Sequence, residues 1–178
     1  MDRSSRFGVK DAAGDNPGEF MLLALVVSVM SAVKAEAVQP PNLHPPDPEV
    51  ANLLAQFPSP CEQLTPEQVV KVQLSAFKIN DAADQGLRKA YEFASPESRI
   101  VAGPLERFAV LVRNPVYVPL LGFENVSFGP MQVIANEAEQ CVSILASSGV
   151  AANYRFRLSL QQFGDYLGCW MTDRVEPL

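Results

Sequence analysis

Carboxylates and tyrosines are the side chains of this sequence that could carry out proton transfer. Such a reaction needs a general base, usually a carboxylate or a histidine, beside a tyrosine or a second acid. The only histidine, His44, lies in a proline-rich stretch ahead of the region with secondary-structure signals, so that region has no histidine–carboxylate pair. The candidates that remain are Asp81, Asp84, Tyr91, Tyr117 and Asp173.

The three carboxylates also have structural interpretations. Asp81 stands at a break between two helical patterns, where it can cap the second helix. Asp84 then falls in the first turn of that helix, where a negative charge suits the helix dipole. Asp173 lies in an apparent strand and can pair across strands with Arg155 or Arg157. The sequence therefore assigns no catalytic residue among them.

The aromatic candidates are more typical of a core or of its rim than of an acid. Trp170 fits the core, although a single tryptophan near the end of a sheet can line the mouth of a ligand site. Ser75, Ser95 and Ser98 have no visible partners for nucleophilic catalysis. If a pocket exists, the residues expected to line it are Tyr91, Tyr117, Trp170 and Asp84.

Composition argues against several other classes of function. The formal net charge of −6 disfavours nucleic acid and anionic membrane surfaces, both of which attract basic patches. The sequence has no glycine-rich phosphate loop and no CxxC pair, so we expect neither a cofactor nor a metal. Cys61, Cys141 and Cys169 are an odd set, which leaves two alternatives: buried free thiols, or one disulfide in an oxidising compartment.

The first 60 residues differ in character from the rest. Residues 1–19 are polar and aperiodic, which predicts a disordered leader. The run Phe20–Val33 carries no charge and precedes Ala35-Glu36-Ala37, a pattern typical of a cleaved export signal. An uncleaved anchor and a buried helix are the alternatives. Residues 38–60 contain seven prolines and predict a stiff linker with a short helix near residues 49–57.

Residues 61–178 predict one α+β domain, with about three helices packed on a curved antiparallel sheet of four to six strands. Thr65-Pro66-Glu67-Gln68 starts the first helix, which runs to about Ile79. The second helix is expected over about 82–93, followed by a loop with a short extended piece at 99–101, and a third helix begins after Pro104. Strands are expected over 116–121, 124–128, 131–135, 140–146, 153–161 and 168–175.

Two of these strands alternate clearly enough to assign side chains to faces. In the strand at 153–161, the residues that share one face are Tyr154, Phe156, Leu158 and Leu160. In the last strand, Trp170, Thr172 and Arg174 share one face, opposite Cys169, Met171 and Asp173.

Several short motifs together resemble one uncharacterised family, domain of unknown function 4864, and in particular its plant and algal members. The matching stretches are Leu64–Val70, Gln73–Phe77, Asn80-Asp81, Tyr91–Pro96, Phe108, Tyr117–Gly122 and Gly168–Asp173. The resemblance implies a cone-shaped fold of the nuclear-transport-factor-like or cystatin-like type. It brings no agreed activity and therefore no catalytic residues.

Two functions of different class follow. The favoured one is a non-catalytic, exported accessory domain that docks on a protein partner such as a membrane complex. The resemblance to plastid-targeted members suggests a chloroplast or thylakoid-lumen location, with a secretory or periplasmic location as the alternative. The second function is a small-ligand pocket protein or an isomerase- or dehydratase-like enzyme, as some cone-shaped relatives are. A deep apolar pocket with convergent ionisable groups would favour the second function, and a filled core with an apolar outer patch the first.

Overall fold

A computed structural model describes residues 44–178. The predicted leader, the apolar export segment and the first part of the linker lie outside the described residues. Within residues 44–178, no helix has both the length and the apolar character that crossing a bilayer requires.

Five helices precede an antiparallel sheet in this part of the chain. They are α1 (Pro48–Leu54), α2 (Pro66–Lys78), α3 (Gln85–Tyr91), α4 (Pro96–Ala102) and α5 (Leu105–Val112). The strands are β1 (Asn125–Phe128), β2 (Gln132–Ile134), β3 (Glu137–Leu145), β4 (Ala151–Leu160) and β5 (Trp170–Pro177). Short 3-10 turns lie at Val118–Leu120 and Gly164–Tyr166. This order confirms the predicted α+β class.

The start of α2 forms as its sequence predicts. Thr65 Oγ1 accepts a hydrogen bond from the Gln68 N–H at 3.3 Å, and Gln68 Oε1 accepts one from the Thr65 N–H at 2.8 Å. This reciprocal capping box satisfies two backbone donors, and Pro66 supplies the first helical residue. The apolar face of α2, with Val70, Leu74 and Phe77, is buried.

Three other segments differ from the prediction. The second predicted helix begins at Gln85, three residues later than expected. The predicted loop after Ser95 is the helix α4, because the Ser95 side chain caps the Ser98 N–H at 3.2 Å and Pro96 supplies the first helical residue. The predicted strand at 116–121 is a 3-10 turn that contains Pro119, which lacks the N–H a strand would donate.

The sheet has the strand order β1–β3–β4–β5, and β2 continues along the same edge of β3 as β1. All of these strand pairs are antiparallel. Between β1 and β2, the Gly129 N–H donates to Cys141 O at 2.8 Å, and Gln140 Nε2 donates to Gly129 O at 2.9 Å. The break at Gly129-Pro130 thus stays attached to the centre of β3.

One bulge in β5 changes which side chains share a face. The register pairs Leu158 with Thr172 but Arg157 with Arg174, which leaves Asp173 as the extra residue. The simple alternation expected from the sequence placed Arg174 with Trp170 and Thr172, and this is wrong. Arg174 instead lies on the opposite face, next to Arg157.

The core lies between the helices and one face of the sheet. Its buried members include Leu74, Phe77, Tyr154, Phe156 and Leu158. Leu54 of α1 belongs to the same core, so this helix packs with the domain. The other face of the sheet carries charged side chains, and β5 is also paired at its outer edge by a parallel bridge from Ala94 to Thr172.

Candidate functional site

Asp84 occupies the residue just before α3, with a left-handed backbone (φ 60°, ψ 30°). Its carboxylate forms an ion pair with Arg113, the residue directly after α5, and accepts a hydrogen bond from Asn80 Nδ2 at 3.1 Å. These contacts hold an uncommon conformation for a non-glycine residue. The side chain thus links the start of α3 to the end of α5, and it accepts no capping hydrogen bond from the backbone of its own helix.

The break at Asn80-Asp81 supplies the caps that Asp84 does not. Asp81 Oδ1 accepts from the Gln85 N–H at 2.9 Å, and Asn80 Oδ1 accepts from the Leu87 N–H at 2.8 Å. Asp81 was predicted as the cap residue immediately before the helix, and this position is wrong. Its side chain nevertheless satisfies the first free N–H of α3 from four residues away.

Asp81 also ties α1 to α3. Its Oδ2 accepts from the Asp47 N–H at 3.1 Å and from Gln85 Nε2 at 2.8 Å. Burial pushes the pKa of Asp81 upward, but the hydrogen bonds from Gln85 and Asp47 outweigh it and leave the pKa below its usual value. The carboxylate is therefore charged at neutral pH.

Tyr117 lies beside the core, where its side chain makes a hydrogen bond and a ring contact. Its O–H donates to Val175 O at 3.2 Å, and its ring stacks on Tyr154 with 6.2 Å between centroids. Burial raises the pKa of Tyr117, and the charge of Glu176 raises it further. Burial, with a contribution from Tyr117, raises the pKa of Tyr154 to about 12. Both phenols are protonated at neutral pH and serve as hydrogen-bond donors.

Trp170 is half-buried and packs against the core from the first position of β5.

Asp173, the residue after Thr172, accepts a hydrogen bond from Ser159 Oγ at 2.9 Å. The predicted pairing of Asp173 with Arg155 or Arg157 is therefore replaced by a contact with a hydroxyl. The bulge accounts for the change, because it makes Asp173 the residue of β5 that has no partner in the register.

Tyr91 supports an arginine that belongs to no ion pair in the described chain. The Arg99 guanidinium lies over the Tyr91 ring at 5.3 Å and over the Tyr166 ring at 5.1 Å. Its nitrogens donate to Glu92 O at 2.7 Å and to the Tyr166 hydroxyl at 3.1 Å. Tyr91 in turn donates to Gly103 O at 2.8 Å. All of these partners of Arg99 are uncharged, so its positive charge is oriented but not neutralised.

Exposed apolar side chains are close neighbours of Arg99 and Tyr166 in the chain. Ile100 and Val101 follow Arg99 on α4, with 82% and 64% of their surface exposed. Phe163 and Leu167 lie within three residues of Tyr166 and are 87% and 58% exposed. We call this set, Arg99, Ile100, Val101, Phe163, Tyr166 and Leu167, the Arg99 surface.

The sequence prediction missed the Arg99 surface because its two halves are 67 residues apart in the chain. Residues 97–103 were interpreted as a loop, which concealed the helix that presents Ile100 and Val101. One local signal was present. A phenylalanine directly before Gly164-Asp165 is an apolar aromatic residue in a turn, where polar residues are usual.

A charge ladder covers the open face of the sheet. Glu139 pairs with Arg155 at 3.1 Å and with Arg157 at 3.4 Å. Glu176 pairs with Arg157 at 3.3 Å and with Arg174 at 3.7 Å. Positive and negative charges alternate across the three strands, so most of the charge is compensated within the sheet. The contacts of Arg155 with Cys141 and with Glu139 raise the pKa of its guanidinium.

Two concavities lie on the surface of the described domain. One, of about 260 Å3, sits at the end of the charge ladder among Glu137, Arg157 and Arg174. The other, of about 290 Å3, lies between α1 and α3 and is lined by Leu54, Arg88 and other residues. Both are open to solvent, and none of the four predicted pocket-lining residues lines either of them.

The cysteines occupy three different environments and carry free thiols. Cys141 is exposed on the open face of the sheet, opposite Arg155. Cys169 is buried just before β5, and Cys61 is half-buried ahead of α2. Burial raises the pKa of Cys169, and the nearby Cys61 and Glu62 raise it further. Among residues 44–178, no group of three potential metal ligands of the His, Cys, Asp or Glu type lies together.

The fold and its surfaces define a compact α+β domain with helices on one face of an antiparallel sheet and no enclosed cleft among the concavities described above. A family model, domain of unknown function (DUF4864), matches residues 61–175. The chain belongs to this family, as the resemblance implied. Neither the curated proteins nor the solved structures provide a significant match.

Proposed function

We propose that this chain is an exported accessory protein whose α+β domain binds a protein partner and catalyses no reaction itself. The observation that carries the proposal is the Arg99 surface. Exposed apolar side chains grouped around an aromatic residue and an arginine have the composition of a protein-interface centre. Phe163, the most exposed of them, is suited to enter a pocket on the partner.

The packing of the core supports a binding role over a ligand pocket. Leu74 and Phe77 are buried in the core, and Phe108 and Trp170 are partly buried and pack against the same core. The phenylalanine rings of Phe77 and Phe108 lie 6.4 Å apart. A core filled by these side chains supports the docking role over a ligand pocket between the helices and the sheet. The described concavities are instead open and lie on the surface.

The charge of Arg99 specifies the chemistry of the partner. Two tyrosine rings and two oxygen acceptors fix the guanidinium without supplying a negative charge. A partner pocket that is apolar at its floor and carries a carboxylate at its rim would complement both parts of the surface. The charge ladder is less suited to this role, because its arginines already pair with Glu139 and Glu176.

The export part of the proposal rests on the sequence ahead of the domain. The uncharged run Phe20–Val33 and Ala35-Glu36-Ala37 support cleavage after Ala37 and delivery to the thylakoid lumen, the periplasm or the secretory path. A partner in a membrane complex would then be met on the far side of the membrane. N-terminal sequencing of the mature protein tests this, and a soluble mature chain that begins at Met1 or Asp2 would refute it.

The same proposal includes a fold relationship. The order of elements, with helices first and an antiparallel sheet after them, supports membership of the cone-shaped, nuclear-transport-factor-like or cystatin-like folds. The β5 bulge at Asp173 and the break at Gly129-Pro130 are two devices that bend a sheet. Both therefore favour the curved sheet that such folds have.

A site-specific photo-cross-link tests the interaction. A benzophenone amino acid replaces Phe163 in one variant and Ile134 in a second, which serves as the matched control. Ile134 is 76% exposed and equally apolar, but it lies on β2. Each full-length variant is produced in the native host, irradiated in isolated membranes and analysed by mass spectrometry. We expect position 163 to cross-link to one defined protein and position 134 not to do so.

A further substitution tests whether the cross-link at position 163 depends on the Arg99 surface. Ile100→Asp leaves the Arg99 contacts in place but puts a carboxylate beside the expected rim carboxylate. It should weaken the 163 cross-link about thirtyfold, the effect of losing one strong interface contact. Equal cross-linking from 134, a product that contains only a second copy of this chain, or no effect of Ile100→Asp would overturn the proposal.

A further inference from the structure

Two of the three cysteines lie next to the point where Gly168 contacts the Glu62 side chain. A Cβ atom placed on Gly168 would lie 3.0 Å from Cγ of Glu62 and 3.5 Å from its Cδ. Cys61 directly precedes Glu62, and Cys169 directly follows Gly168. The segment that leads into α2 therefore lies against the segment that leads into β5, with one cysteine in each.

The electrostatics of Cys169 agree with this placement of the two segments. After burial, the strongest influence on the pKa of this thiol is Cys61, followed by Glu62. Such an effect fades with distance, because charges act on one another in inverse proportion to their separation. Cys61 is thus an electrostatic neighbour of Cys169.

The chain around Cys61 is free of regular structure. Residues 57–65 lie between α1 and α2 without helix or strand, and the Cys61 carbonyl accepts one hydrogen bond, from the Leu64 N–H at 3.2 Å. A small shift of this segment would break no strand ladder. Cys169, in contrast, is fixed by its backbone N–H bond to Tyr166 O at 2.9 Å and by the Gln161 N–H bond to its own O at 2.9 Å.

We propose that Cys61 and Cys169 form an intramolecular disulfide when the protein meets a disulfide-class oxidant. The bond would join the entry to α2 with the entry to β5 and so close nearly the whole domain into one loop. This modification site is independent of the Arg99 surface, and it suits a protein that is exported to an oxidising compartment.

The reaction balances as thiol–disulfide exchange. The half-buried Cys61 thiolate attacks one sulfur of the oxidant, which forms a mixed disulfide and releases one thiolate. The Cys169 thiolate then attacks the Cys61 sulfur, the protein S–S bond forms, and the second thiolate leaves. The two protein thiols lose two protons and two electrons, and the oxidant is reduced to two thiols.

The test begins with thiol counting on the wild-type full chain. Reduced protein is incubated with glutathione disulfide, denatured and titrated with a thiol reagent. We expect the three free thiols to fall to one, with a non-reducing peptide map that joins the Cys61 and Cys169 peptides. The midpoint of thermal unfolding should rise by roughly 10 °C, because the bond restricts a long loop of the unfolded chain.

Matched variants separate this bond from the alternatives. Cys141→Ser should retain both the linkage and the thermal shift, whereas Cys61→Ser should lose both. Peptides that join Cys141 to either of the others, or only mixed disulfides with glutathione, would overturn the proposal. Because the peptide map is made on the wild-type protein, it decides the matter even if Cys61→Ser fails to fold.

Discussion

The hydroxyl of Thr172 donates a 2.6 Å hydrogen bond to Oε1 of Gln73, and both side chains are buried. Gln73 lies on α2 and its Nε2 donates to Ala90 O of α3 at 3.0 Å, so one side chain connects two helices with β5. Thr172→Val keeps the shape but leaves Gln73 Oε1 without its donor. We expect a loss of about 1–3 kcal/mol in the free energy of unfolding, measured in urea.

The conservative control for this bond is Thr172→Ser, which keeps the hydroxyl and removes a methyl group. Its cost should stem from the lost packing and should persist in a Gln73→Leu background. The cost of Thr172→Val should largely disappear in that background, because no buried acceptor remains. Equal stability of the wild type and Thr172→Val would show that the bond contributes nothing.

Gly86 lies where α3 closely approaches α2. A Cβ atom there would lie 2.2 Å from the backbone oxygen of Ala76 and 2.8 Å from Cα of Asn80. Gly86→Ala therefore forces the two helices apart, and we expect a loss of about 3 kcal/mol in the free energy of unfolding. Thermal melting followed by circular dichroism is the measurement.

A control glycine separates this clash from a backbone effect. Gly149 has a left-handed φ of +82° and open space around the position of a Cβ atom. Gly149→Ala should cost about 1 kcal/mol, from backbone strain alone. If Gly86→Ala costs no more than Gly149→Ala, the helices are not packed as closely as described.

The elements that the sequence predicts best are those whose signals lie within a few residues. The capping box at Thr65 and the alternation of Tyr154, Phe156 and Leu158 both depend on neighbours in the chain, and both were predicted correctly. The helix α4 was missed although Ser95-Pro96 is a good helix start, because the same pair also ends the preceding helix. The pair was interpreted only as the end of the preceding helix, although it also starts α4.

Contacts between distant residues account for what the sequence could not reveal. Arg174 was placed on the wrong face because a bulge at Asp173 has no signature in β5 itself and exists only in its register with β4. Arg99 meets Tyr166 across 67 residues, so neither residue alone suggests a surface. Asp84 was expected to favour the helix dipole, yet its partner Arg113 lies at the C-terminal end of α5. Periodicity describes one element at a time and gives no such pairings.

Glu176 holds the charge ladder together at β5. Its carboxylate lies 3.3 Å from Arg157, 3.7 Å from Arg174 and 4.0 Å from Arg155. Glu176→Gln leaves these arginines facing one another with one carboxylate fewer. Because the cluster is partly exposed, we expect a modest loss of about 0.5–1 kcal/mol in the free energy of unfolding.

The salt dependence of unfolding shows whether this loss of stability is electrostatic. Urea unfolding in 1 M sodium chloride should reduce the difference between the wild type and Glu176→Gln to near zero, because the screening length there is about 3 Å. Glu124→Gln, at an exposed site before β1, should change stability little at either salt concentration. A Glu176→Gln effect that is the same at both salt concentrations would mean that packing, and not charge, is responsible.

Asp81 offers the sharpest test of whether the junction of α2 and α3 is structural or catalytic. Asp81→Ala removes the acceptors of three hydrogen bonds, from the Gln85 N–H, Gln85 Nε2 and the Asp47 N–H. We expect a loss of about 0.5–2 kcal/mol in the free energy of unfolding at pH 7. Asp81→Asn should cost less, since its Oδ1 still accepts from the Gln85 N–H.

The pH dependence of this loss follows from the lowered pKa of Asp81. A carboxylate with a lower pKa in the folded state than in the unfolded state stabilises the protein above its unfolded pKa, near pH 4. That stabilisation disappears as the pH falls through the folded pKa. The gap between the wild type and Asp81→Ala should therefore be full at pH 7, begin to shrink below about pH 4 and keep shrinking as the pH falls further. A catalytic base would behave in the opposite way: both Asp81 substitutions would abolish function and leave the urea midpoint unchanged at every pH.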